Sequence, residues 1–84
     1  MRKKVQFTEQ AKADLRAIDR DTAMRILAAL DRYSLTGEGD VKALSHPLGG
    51  NRLRVGPWRV LFEPLVEQDT LEVQKIKNRS EAYR

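Results

Sequence analysis

The 84 residues hold no cysteine, which leaves room for one small core and excludes disulfides and thiolate metal sites. A single histidine, His46, removes the histidine-pair chemistry of metal-free ribonucleases and most zinc sites. Sixteen lysines and arginines against twelve acidic residues give a formal net charge of +4, a small excess whose placement matters more than its size.

Lys4 to Phe7 alternates Val5 and Phe7 with polar residues and predicts a first strand. Thr8 is a candidate N-cap with Glu9 in the first turn, and Ala11, Leu15 and Ile18 recur at helical spacing, so a helix is expected from about Glu9 to Ile18. Asp19 or Asp21 then caps a second helix, whose stripe of Ala23, Ile26, Leu27, Leu30 and Tyr33 ends near Ser34. These stripes read as core, and one face of a sheet is the partner they require.

Thr36 to Asp40 and Ser45 to Gly50 are loops by composition, and His46 in the second is given no role. Between them, Val41 to Leu44 is a short apolar-edged segment that pins the crossing chain to the core.

Asn51 to Phe62 reads as a hairpin turning at Gly56-Pro57, with Leu53, Val55, Trp58, Val60 and Phe62 on an apolar face and Arg52, Arg54 and Arg59 on a cationic one. A two-residue loop sets Arg54 opposite Arg59, and like charges so opposed destabilise a sheet unless water or an anion separates them. Proline is a poor second residue in the common hairpin turns, which leaves the register open. Pro64 ends pairing on one edge and Glu67 to Thr70 is a turn. In the last strand, Leu71 to Ile76, Leu71 and Val73 fall on one side and Ile76 on the other, the mark of a doubly covered strand. A bulge there would exchange the faces of Lys75 and Lys77.

The expectation is a single α+β domain over residues 1–84: an N-terminal strand, a helical hairpin, then a three-stranded antiparallel meander, with the helices on one face of the sheet. The hairpin arginines point to the other face. No apolar run reaches the length of a membrane span, so a soluble cytoplasmic protein is expected.

Arg52, Arg54, Arg59, Lys77, Arg79 and Tyr83, with Lys75 as a possible addition, form the candidate constellation. Guanidinium groups grip phosphate oxygens in pairs and stabilise the charge of a pentacovalent transition state. Arginine keeps its proton, so acid-base work falls to a lysine flanked by cations or to Tyr83. RNA supplies its own nucleophile in the 2′-hydroxyl, so cleavage to a 2′,3′-cyclic phosphate calls for no metal or other cofactor. Spacing alone carries polyanion binding; it does not by itself carry catalysis. Trp58, on the apolar side, is read as core, and Glu63 and Glu72 facing RNA would repel it.

The pattern as a whole resembles the RelE/ParE superfamily of toxins from type II toxin-antitoxin modules. The resemblance rests on Thr-x-x-Ala-x-x-x-Leu at Thr8 to Leu15, Ile-Leu-x-x-Leu at Ile26 to Leu30 and Val-Lys-x-Leu at Val41 to Leu44. It continues with Arg-Leu-Arg-Val-Gly-x-Trp-Arg-Val at Arg52 to Val60 and Arg-Ser-x-x-Tyr-Arg at the end. It implies a RelE-like fold and, for RelE-type members, a messenger RNA interferase that cuts in the ribosomal A site. By the same resemblance Arg59 matches the arginine that stabilises the transition state, and Tyr83 the tyrosine that orients the attacking hydroxyl or the base. Lys77 and Arg79 match phosphate-binding positions, and Lys42 stands where ribosomal RNA is contacted. Arg52 and Arg54 stand where RelE-type proteins often carry lysines, which is a departure at the proposed base. The implied partners are the ribosome and its message, a cognate antitoxin, and operator DNA only as the toxin-antitoxin complex. The alternative is a ParE-like DNA gyrase inhibitor without enzymatic activity; Arg59, Arg79 and Tyr83 together favour the RelE branch.

Overall fold

The structure, a computed structural model, describes residues 3–44 and 50–78. His46 and the tail that carries Arg79 and Tyr83 lie outside the described residues. Strand β1 (Lys4–Phe7) leads into helices α1 (Glu9–Arg16) and α2 (Arg20–Thr36). Strands β2 (Val41–Ala43), β3 (Asn51–Val55), β4 (Trp58–Leu65) and β5 (Thr70–Asn78) follow, with a 3-10 turn at Val66–Gln68 between the last two. The strands form one sheet in the order β1-β5-β4-β3-β2, parallel between β1 and β5 and antiparallel elsewhere.

The helix boundaries follow from their caps. Thr8 keeps an extended backbone while its hydroxyl accepts from the Ala11 N–H, which satisfies one of the free donors at the start of α1. α1 stops at Arg16, two residues before the apolar spacing ends, because Asp19 turns extended and takes the Thr22 N–H at 3.1 Å as the cap of α2. α2 runs on to Thr36, where Gly37 adopts φ 79° and closes the helix with a bond to the Tyr33 carbonyl.

Both helices cover one face of the sheet. Ala11, Ile26 and Leu30 meet Leu53, Val60, Phe62, Leu71, Val73 and Ile76 in the core, with Val5, Phe7, Leu15, Ile18, Tyr33 and Trp58 packed around them. Tyr33 lies tilted against Phe62, ring centres 5.5 Å apart.

Besides these helix ends, two details of the sheet differ from the sequence reading. The meander has four strands, because Val41–Ala43 pairs with β3 (Val41 opposite Leu53, Lys42 opposite Arg52) and extends the sheet by an edge strand. β5 is not covered on both faces. Leu61 pairs with Lys75 and Phe62 with Val73, so Gln74 is an extra residue, a bulge that returns Ile76 to the side of Leu71 and Val73. The hairpin register is the one expected from a two-residue loop. Proline fits there because the positive φ, 58°, falls on Gly56 alone, the demand of a II′ turn, whose second residue takes the negative φ that the proline ring imposes.

Candidate polyanion-binding face

Strand alternation and pairing assemble the basic residues in two rows on the face away from the helices. The first row is Arg54 on β3, Arg59 on β4 and Lys77 on β5. The second is Lys42 on β2, Arg52 on β3, Leu61 on β4 and Lys75 on β5. Successive same-face residues lie about 7 Å apart along a strand and neighbouring strands about 4.8 Å apart, so six cations share a patch about 7 by 15 Å. All the candidate site residues within the described range stand in it. Arg79 and Tyr83 lie outside that range, and nothing is placed for them.

The rows are not uniformly open. Lys42, Arg54 and Lys75 are exposed and Lys77 is half-buried, but Arg59 is only 7% exposed. It lies in the middle of its row, flanked by the long side chains of β3 and β5, and its Nη1 reaches the carbonyls of Trp58 and Gly56 at 3.4 and 3.5 Å. Only a small part of the Arg59 side chain reaches the surface, at the centre of its row.

Asp40 answers the like-charge contact between Arg54 and Arg59. Its carboxylate takes Arg54 Nε at 2.8 Å and lies 3.8 Å from Arg52 Nη1, while its carbonyl accepts from the Arg54 N–H at 2.9 Å. The main-chain bond fixes the carboxylate beside β3. Residue alternation gives no hint of this, since Asp40 stands in a segment whose composition reads only as a loop; the formation of β2 brings it there.

The opposite end of the same face is acidic. Glu63 on β4 pairs with Glu72 on β5, and each accepts from a glutamine amide: Gln74 to Glu63 at 3.1 Å and Gln6 to Glu72 at 3.2 Å. A polyanion is therefore attracted to the end near the Gly56 turn and repelled from the other. Among the described residues no cluster of His, Cys, Asp or Glu has the makings of a metal site.

The model of the ParE toxin of type II toxin-antitoxin systems (parDE) matches residues 5–83. No curated protein sequence matches the chain. Among solved structures, the archaeal RelE-RelB complex from Pyrococcus horikoshii aligns over 96% of this chain and 99% of that one, at 21% identity and a TM-score of 0.78. The RelBE2 toxin-antitoxin complex from Mycobacterium tuberculosis aligns over 96% and 95%, at 25% identity and a TM-score of 0.69. The RelB-RelE complex from Methanococcus jannaschii covers 93% and 94%, at 19% identity and a TM-score of 0.74.

Proposed function

The chain belongs to the ParE toxin family of type II toxin-antitoxin systems, and from that premise we propose that it is a RelE-type toxin whose cationic face binds and cuts messenger RNA in the ribosomal A site. The observation that carries this reading is the convergence of Lys42, Arg52, Arg54, Arg59, Lys75 and Lys77 on one face, with a largely buried arginine at the centre of a row.

Each group has a separate task. The outer cations, Lys42, Arg52, Arg54 and Lys75, hold the backbone phosphates. Arg59, already stripped of most water, meets the scissile phosphate and stabilises the charge that grows on its oxygens as the 2′-hydroxyl attacks in line. Lys77, beside Arg59, and Arg79 steady the same phosphate, and Tyr83 orients the attacking hydroxyl. The candidate base is a lysine of the same face, and the strand register sets Lys77 directly opposite Arg59. The products are a 2′,3′-cyclic phosphate and a free 5′-hydroxyl.

A cognate antitoxin restrains the toxin by covering or distorting this face, in keeping with the antitoxin partners of its structural neighbours. The match to the ParE model favours one other reading, inhibition of DNA gyrase without catalysis. Ribosomes programmed with a defined message separate the two. The first reading expects the protein to cut the A-site codon and leave a cyclic phosphate or its opened product. Intact message, together with a DNA-damage response on expression, selects the second.

A further inference from the structure

The lysines of β5 reach the cationic face only because the strand is bulged. Were alternation unbroken from Val73 onward, Lys75 and Lys77 would enter the layer beneath the helices and Ile76 would stand among the arginines. The extra residue at Gln74 reverses this.

The bulge lies where β5 loses its strand neighbour, since β1 stops pairing at Phe7 opposite Val73. From there α1 and its cap take over. The Thr8 N–H donates to the Val73 carbonyl at 3.0 Å and the Thr8 hydroxyl to the Gln74 carbonyl at 3.0 Å. The Ile76 N–H, between the two lysines, donates to Asp14 Oδ2 at 3.0 Å. Gln10 donates to the other oxygen of Asp14 at 2.8 Å and fixes the carboxylate. Asp14 and the Thr8 hydroxyl thus satisfy edge groups of β5 that no strand reaches.

We infer that Asp14, with Thr8, is a positioning residue for the cationic face: from the helical side it holds the Gln74 bulge that turns Lys75 and Lys77 toward the arginines. The inference rests on the reading of that face as an RNA-binding surface. A part-buried N–H deprived of its acceptor disfavours the bulged strand, and once the bulge slides or melts the lysines are no longer held beside Arg59.

The test is the salt dependence of binding to a single-stranded RNA oligonucleotide, with circular dichroism to verify folding. Each cation that neutralises a phosphate contributes about 0.7 to the logarithmic salt slope, so Lys75→Ala/Lys77→Ala lowers it by about 1.4. Asp14→Leu is expected to lower the slope toward that of the lysine double variant, while Asp14→Asn, whose amide oxygen still accepts from Ile76, keeps the wild-type slope. Deleting Gln74 in the Asp14→Leu protein is expected to restore it, because a strand without the extra residue sets both lysines on the open face by alternation alone. A folded Asp14→Leu protein with the wild-type slope overturns the inference, as does a lowered slope that the deletion leaves lowered. Should Asp14→Leu not fold, the milder Thr8→Val replaces it, with a lowered slope expected and a wild-type slope overturning the inference. If the lysine double variant itself binds like the wild type, the reading of the face has failed, and the role of Asp14 is not what failed.

Discussion

Under the proposed function Arg59 carries the largest expected effect of any single side chain, because the scissile phosphate would meet there a guanidinium only 7% exposed to water. Electrostatic stabilisation by a preorganised donor is strongest in such surroundings. Replacing Arg59 with alanine is expected to lower RNA cleavage by about 10²- to 10³-fold, measured by single-turnover cleavage on programmed ribosomes. The packed stem also supports the sheet, so the variant's melting temperature should be recorded beside its activity. Asp40 works in the other direction. Asp40→Asn removes the carboxylate that occupies Arg54 and lies near Arg52. RNA binding should tighten and the salt slope steepen by about 0.7 for each arginine released. Stability should change by less than about 1 kcal/mol, since both partners of the closer pair are half-exposed. Weaker binding by Asp40→Asn would show that the carboxylate orients the arginines instead of competing for them. The placement of Arg52, Arg54 and Arg59 on one face was legible in plain alternation. The burial of Arg59 and the pairing with Asp40 were not, because both depend on strands brought together from distant parts of the chain.

At the scale of elements, the apolar stripe of α2 joins helices to sheet. Leu30 is 1% exposed within that contact, and Leu30→Ala should cost about 2–5 kcal/mol by urea denaturation, through lost burial and the cavity left behind. The cap of the same helix gives a pH signature. Side-chain hydrogen bonding with Thr22, and then the Thr22 N–H, hold the Asp19 carboxyl below its ordinary range. A lowered folded-state value means that the carboxylate's stabilisation is complete above the unfolded aspartate value and is lost as pH falls through the folded one. The melting-temperature advantage of the wild type over Asp19→Asn should therefore be full near neutrality and shrink as pH falls below the ordinary aspartate range; an advantage undiminished in acid would contradict this account of the cap. Helical spacing and cap residues made both helices readable, with Asp19 and Asp21 open as alternatives until the extended backbone of Asp19 decided between them. The last strand was misread at Ile76, because one inserted residue inverts every face beyond it and a bulge has no sequence mark as clear as a cap. The edge strand Val41–Ala43 is too short to announce itself by alternation. It exists through its pairing with β3.

At the scale of the whole molecule, the sheet divides the labour between its two faces. One is sealed by the helices and supplies the stability of a small core. The other gathers charge, basic at the turn end and acidic at the far end, which gives a bound polyanion a direction. Among the described residues no helix is long and apolar enough to cross a membrane. The α+β class, the family and the order of elements apart from the edge strand Val41–Ala43 were legible, because they follow from periodicity and from motifs spread along the chain. The choice between a nuclease and a gyrase inhibitor was not, because relatives with one architecture serve different targets. The measurement that addresses this choice most directly is brief expression of the protein, mapping of new 5′ ends on messages by primer extension, and the same mapping for Arg59→Ala. The account predicts cuts confined to translated frames in the wild type and none in the variant. Whole messages while growth still stops would contradict it, leaving the cationic face as a binding surface and gyrase as the target.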